Sequence, residues 1–387
     1  MKFTPEHDQF RKTVRDVVDN EINPYADEWE RAGIFPAREL FTKLGSLGIL
    51  GLEYDPAFGG QGADHSFTLV YGEEIGRCNT GGVAMAISVQ TDMATPALAR
   101  FGTDELKERY LRPAIAGEAI AAIAVTEPDA GSDVAGLRTK AVRDGDEWVI
   151  NGTKLYITNG TQADWLCLLA RTSDEGGSRG MSQIIVPTDT PGFSVSRKLD
   201  KLGQRSSDTA ELSFVDMRVP VSNTIGEIGQ GFQQQMAQFQ NERLIATYMS
   251  TAHMRLALDR TIDYVRTRQA FGRTLADQQW IQFKLAELIA EVDLLHHYNQ
   301  ACAQAMVDDL DPFAIAKMAS IGKLKAGRLN REVADMAMQF HGGIGYMEET
   351  WTARYFRDSR LLSIGGGADE VMLRIIAQLE GISGKAR

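Results

Sequence analysis

The sequence predicts an α+β protein made of a helical N-terminal domain, a middle β domain and a helical C-terminal domain, divided as 1–120, 121–230 and 231–387. Three observations carry this. Apolar residues recur at helical spacing up to about residue 120, and short β-rich runs separated by turn residues fill the middle. Helical spacing then returns after Gly229 and Gly231 and holds to the C-terminus. No internal repeat interrupts this order.

In the first part, Thr4-Pro5-Glu6 reads as an N-cap, a proline at the first helical position and an acid in the first turn. Phe10, Val14, Val17 and Val18 follow at helical spacing. Glycine-rich breaks at Phe58-Gly59-Gly60-Gln61-Gly62 and Thr80-Gly81-Gly82 interrupt the pattern without making it a strand. In the middle, Trp148-Val149-Ile150 leads into Asn151-Gly152 and out through Leu155-Tyr156-Ile157, which predicts a hairpin turning at Asn-Gly. Further strands are expected at Trp165 to Ala170, Ile184 to Pro187 and Leu212 to Phe214. In the last part, Asp311-Pro312 opens one helix and Gly342-Gly343 closes another, glycine accepting the left-handed conformation after a helix end.

The chain has 387 residues, enough for two or three domains, and a net charge of −11. That balance excludes nucleic acid as the main partner, because a phosphate-binding surface needs clustered positive charge. A phosphorylated small ligand held by a few arginines stays open. No stretch reaches the ~20 apolar residues of a membrane span. The first residues show neither an apolar run nor an Arg/Ser-rich pattern. Cys78, Cys167 and Cys302 form no pair and point to neither metal nor disulfides. A cytoplasmic protein with reduced thiols is the expectation.

Two segments have the composition of a ligand site. In Ala124-Val125-Thr126-Glu127-Pro128-Asp129-Ala130-Gly131-Ser132-Asp133-Val134-Ala135-Gly136, small residues and hydroxyls let backbone N–H groups approach a polar ligand. A plain connecting loop reads equally well. In Gln339-Phe340-His341-Gly342-Gly343-Ile344-Gly345-Tyr346, the glycines alone mean a helix stop, and no βαβ unit makes them a dinucleotide fingerprint.

Together, and with the second extending through Glu349 and Arg354 to Asp358, these segments resemble the two signature motifs of the acyl-CoA dehydrogenase family. Tyr156-Ile157-Thr158-Asn159-Gly160 resembles the family's flavin-contacting strand, and Arg268-Gln269-Ala270-Phe271-Gly272 its cofactor-clamping segment. The resemblance covers essentially the whole chain. It implies a β-barrel-like middle domain, a C-terminal four-helix bundle, FAD between them, and a homotetramer. It further implies that Val125, Thr126, Gly131 and Ser132 line the flavin and thioester, and that Tyr156 (Trp in many relatives) stacks near the ring. Thr158 would bond near flavin N5, while Arg268, Phe271, Gln279, Gln339 and Gly343 reach the FAD of a neighbouring subunit. Ala368 and Glu370 are further cofactor positions, although relatives often have Thr where Ala368 stands.

The implied reaction removes an α-proton from an acyl-CoA while the β-hydrogen leaves as hydride to the flavin, so a carboxylate base is required. In many relatives it is a Glu eight residues after an Arg-Asp pair. Here eight residues beyond Asp358 stands Gly366, which has no carboxylate. Glu242, in Phe239-Gln240-Asn241-Glu242-Arg243-Leu244, stands where long-chain and isovaleryl-type members place their base. Gln235, Phe239, Glu242, Ala246, Met249, His253 and Leu256 form one largely apolar helical stripe, so Glu242 is expected to point inward with a raised pKa. Arg243 falls on a more polar face with Met236, Gln240, Thr247 and Ser250. Gln240, Arg243 and Ser132 are the candidate substrate contacts, and Glu127 and Glu370 are rival bases. The resemblance implies that the Gly366 N–H, with a ribityl hydroxyl of FAD, binds the thioester oxygen.

The reading is thus an FAD-dependent acyl-CoA dehydrogenase that passes electrons to an electron-transfer flavoprotein. Its expected substrate is long-chain or 3-methyl-branched, and Gly365-Gly366-Gly367-Ala368-Asp369-Glu370 is similar to the corresponding stretch of citronellyl-CoA dehydrogenases. The competing readings are a flavin-dependent oxidase or monooxygenase of the same fold, and a non-catalytic acyl-CoA-binding protein that has lost its base.

Overall fold

The computed structural model describes residues 1–382. The first helix, Pro5–Val17, starts where the sequence signals it. Thr4 N donates to His7 Nδ1 (3.1 Å), which satisfies one of the amides that a helix start leaves free. Val14, Val17 and Val18 are buried, and Phe10 packs on the core they share with the His65–Ile75 helix.

The middle of the chain folds into a curled seven-stranded sheet: β1 (Ala121–Ala124), β2 (Lys140–Asp144), β3 (Glu147–Thr158), β4 (Trp165–Arg171), β5 (Met181–Pro187), β6 (Phe193–Lys198) and β7 (Thr209–Pro220). The order is β1-β4-β2-β3-β7-β6, with β5 also paired to β4. One expectation fails here. Asn151-Gly152 is not a turn: β3 runs straight through it, and the register against β7 slips between Ile150 and Gly152. Gly152 is required for a different reason, since a Cβ there would sit 2.4 Å from Thr139 Oγ1. The actual hairpin joins β2 to β3 around Gly145, whose φ is +62°. A Gly-Asp pair, Gly145-Asp146, thus carries the turn that the sequence reading gave to Asn-Gly.

The C-terminal part is dominated by three long helices, Gly231–Thr267, Gln279–Val307 and Pro312–His341, with Trp351–Ser359 and Asp369–Leu379 packed on the last. Asp311 caps Pro312–His341 by accepting from Phe313 N (3.0 Å) and Ala314 N (3.1 Å). Gly342, at φ +64°, ends it.

Two contacts position the parts relative to one another. Gly72 and Gly76 let the His65–Ile75 segment lie almost backbone to backbone on Gly231–Thr267: an added Cβ would fall 2.7 Å from Tyr248 Cβ and 2.3 Å from Met249 O respectively. Asp358 accepts from Gly81 N (3.0 Å) and from Gln204 N, so one carboxylate ties the N-terminal, middle and C-terminal parts together. All three cysteines are free and buried. Among the described residues, no helix is long and apolar enough to cross a membrane.

Candidate active site

The predicted site residues fall into three groups. The first lies where β1 leads into the 125–132 loop. Leu155 N donates to Thr126 O (2.8 Å), which lays this loop against the end of β3. A β-bulge between Lys154 and Ile157 then turns Tyr156 outward, at φ +62° and 66% exposed. A left-handed tyrosine is strained by about 1–2 kcal/mol, a conformation that persists only when its surroundings impose it. Thr158 pairs with Thr209, their hydroxyls 3.3 Å apart. Val125 and Thr126 are half-buried, and Gly131 and Ser132 are exposed. The result is a wall bearing an aromatic face, two threonines and a glycine loop.

Glu127, a rival base, is fully engaged in this wall. Its Oε1 accepts from Lys154 Nζ (2.9 Å) and Thr139 N (2.9 Å), and its Oε2 from Arg138 N (2.6 Å). Burial pushes its pKa up, but the Lys154 charge and these bonds outweigh that and hold it below the ordinary value. Lys154, wholly buried, also donates to Val125 O (2.8 Å). Its role was missed in the sequence. A lone lysine within a strand that carries buried Trp148 and Ile150 was the available signal.

The second group is Glu242 with the glycine run. Along the predicted stripe, Gln235, Glu242 and Met249 are buried, while Phe239, Ala246, His253 and Leu256 are half-buried. Glu242 is 7% exposed. Its Oε1 receives Gln238 Nε2 (3.2 Å) and Gln235 Nε2 (3.4 Å), and Gln238 also donates to Met93 O. Burial pushes the carboxyl up to about 7, against the opposing pull of the Gln238 hydrogen bond and the Arg243 charge.

Arg243 does lie beside Gln240, donating from Nη1 to its Oε1 (3.2 Å), but the face they share is packed, not solvated. Arg243 is 6% exposed, and Thr247 and Ser250 are buried beside it. Its Nη2 comes 3.9 Å from where a Cβ on Gly367 would stand. Lys323, buried and held at a pKa of about 8 chiefly by burial, donates to Gly367 O. Gly366 itself, at φ +63°, is exposed, and a Cβ there would meet nothing within 4 Å. Ala368 caps the Asp369–Leu379 helix, and Glu370 in its first turn faces solvent, which makes it a poor base.

The third group lies at one end of the helical bundle. Arg268 follows Gly231–Thr267 and leads into the short β8 (Gln269–Ala270) and β9 (Arg273–Thr274) hairpin. At its tip Phe271 is 99% exposed, at φ +54°. Tyr264 stacks on His341 at 4.1 Å, and Trp280 meets Phe340 at 5.4 Å. These contacts hold Arg268, Gln279, Gln339 and Gly343 at the same end, all four exposed.

Comparisons with known proteins identify the family of this helical–β–helical chain. The acyl-CoA dehydrogenase N-terminal, middle and C-terminal domain models match residues 4–118, 122–217 and 229–379. The long-chain specific acyl-CoA dehydrogenase, mitochondrial, of Rattus norvegicus is 39% identical over 378 residues, covering 97% of this chain and 86% of the relative. A putative acyl-CoA dehydrogenase structure from Mycobacterium smegmatis superposes with TM-score 0.95 at 40% identity, covering 99% of each chain. A chain in a structure described as the electron transferring flavoprotein of Acidaminococcus fermentans superposes with TM-score 0.93 at 28% identity, covering 98% of each. The chain belongs to the acyl-CoA dehydrogenase family. It is therefore an oxidoreductase of FAD-dependent acyl-CoA dehydrogenation.

Proposed function

We propose that this enzyme uses Glu242 as the base that removes the α-proton of its acyl-CoA substrate. The observation that carries the reading is the contrast between two positions. Gly366 offers no carboxylate, while Glu242 is a buried carboxyl with a pKa of about 7, still substantially ionised at neutral pH and basic enough to take a weakly acidic proton. Gln238 and Gln235 hold its Oε1, and the second oxygen is left for the substrate. Lys323, fixed on Gly367 O, holds the glycine run beside Arg243, itself fixed by Gln240, and in that run the Gly366 N–H donates a hydrogen bond to the thioester oxygen.

FAD fits the first group: Tyr156 covers a ring face, Thr126 and Thr158 offer hydroxyls, and Gly131 and Ser132 open a close backbone approach. When bound it supplies the acceptor for the β-hydrogen. The cleft lies between the 121–230 and 231–387 domains, with Ala368 and Glu370 on its far side. Arg268, Phe271, Gln279, Gln339 and Gly343 serve the FAD of a neighbouring subunit in a homotetramer, a reading supported by the solvent exposure of Phe271. Electrons pass to an electron-transfer flavoprotein in the cytoplasm; the similar chain in the Acidaminococcus structure supports that acceptor.

The substrate is a long-chain or 3-methyl-branched acyl-CoA, in keeping with the long-chain name of the rat relative. Anaerobic bleaching of the flavin by straight-chain, isovaleryl and citronellyl thioesters tests this. Bleaching by long or branched chains is the expected result, and a clear preference for short straight chains contradicts it. Oxygen consumption matching dye reduction would instead mark an oxidase.

A further inference from the structure

Beside the helix that carries Glu242 lies a cavity with apolar walls at Leu50, Leu52 and Pro96, into which Tyr71, Asp92 and Asn241 bring polar groups. Asn241 is the residue before Glu242, so the cavity borders the helix segment that carries the proposed base. One of its polar groups is short of partners. Asp92, 9% exposed, accepts one hydrogen bond, from Thr91 Oγ1 (2.6 Å), which leaves its other oxygen without a protein donor among the described residues. The Tyr71 hydroxyl, on a side chain 1% exposed, lies against the Thr91 and Ser88 hydroxyls. Glu53, the other carboxylate on the wall, is already engaged by His65 Nδ1 (2.7 Å) and Thr68 Oγ1.

A wholly apolar tail entering this space would strip water from Asp92 and give nothing back. A hydroxyl repairs that loss, because its O–H can donate to the carboxylate. We propose that this cavity receives the far end of the acyl chain and selects a chain that carries a hydroxyl group there. The inference builds on Glu242 as the marker of the reacting end and narrows the substrate class.

The test uses S-alkyl-CoA thioethers, which lack the thioester carbonyl and undergo no dehydrogenation. Matched pairs of increasing chain length, with and without a terminal hydroxyl, are titrated into the FAD-loaded enzyme and read by the flavin absorbance change. At the length that reaches the cavity, the hydroxylated chain binds about tenfold more tightly than the alkyl chain. Asp92→Leu reverses that order. Asp92→Asn, which keeps an acceptor at the same place, retains the preference and controls for folding. The proposal is overturned if no chain length favours the hydroxyl, if Asp92→Leu leaves the ratio unchanged, or if a terminal ammonium binds better than the hydroxyl. Glu242→Gln leaves the ratio intact, so a wrong base and a wrong cavity give different results.

Discussion

Gln238 donates from Nε2 to Glu242 Oε1 across 3.2 Å, one helical turn away, and no lysine or arginine forms a salt bridge with Glu242 among the described residues. Glu242 is therefore a buried carboxyl supported by amides. Its folded pKa of about 7 lies above the unfolded value, so the folded state holds the proton more tightly. Stability from this group is full below about pH 4.5 and is lost as pH rises through about 7. Glu242→Gln, which removes that penalty, should stabilise the protein by up to about 3 kcal/mol at pH 8 and by almost nothing at pH 4.5. Denaturation midpoints of the two proteins at both pH values measure this. The same ionisation makes kcat/KM fall as pH drops below about 7.

Lys154 and Glu127 form a salt bridge at 2.9 Å with side chains 0% and 6% exposed. Removing one partner strands the other charge in the interior. Lys154→Met should cost about 3–5 kcal/mol, and adding Glu127→Leu should restore most of it. Equal stability of the single and double variants in urea would show that the pair carries no such coupling.

Tyr156 combines a strained backbone with a ring proposed to cover the cofactor. Tyr156→Gly should therefore raise the stability of the apoprotein by about 1 kcal/mol while weakening FAD binding at least about tenfold. Effects of the same sign on both, measured by thermal unfolding and flavin titration, would separate the strain from the site.

Gly366 has open space where a side chain would begin. Placing a carboxylate there in the Glu242→Gln background should return bleaching to at least about tenfold above Glu242→Gln alone, the left-handed φ costing about 1–2 kcal/mol. A double variant, Glu242→Gln with Gly366→Glu, that stays as slow as the single one means the glycine run does not face the substrate.

Much of this was legible in the sequence because it follows from local chemistry. Thr4-Pro5 and Asp311-Pro312 start helices where their caps and ring geometry demand it, and the stripe through Gln235, Glu242 and Met249 does bury the carboxyl. Most of the misses depend on partners distant in sequence. Asn151-Gly152 has the composition of a turn, but pairing with β7 and the close approach of Thr139 keep it in a strand. Gln238, Lys154 and Lys323 have no motif of their own; their importance comes from the carboxyls and carbonyl they meet.

The central claim is that Glu242 takes the α-proton. Rapid mixing of FAD-loaded Glu242→Gln with a bleaching-competent acyl-CoA under anaerobic conditions tests it most directly. FAD content and thioether binding should match the wild type, while the rate of flavin bleaching falls by about 10²–10⁴-fold. A bleaching rate within about threefold of wild type, set against that loss, would contradict the account.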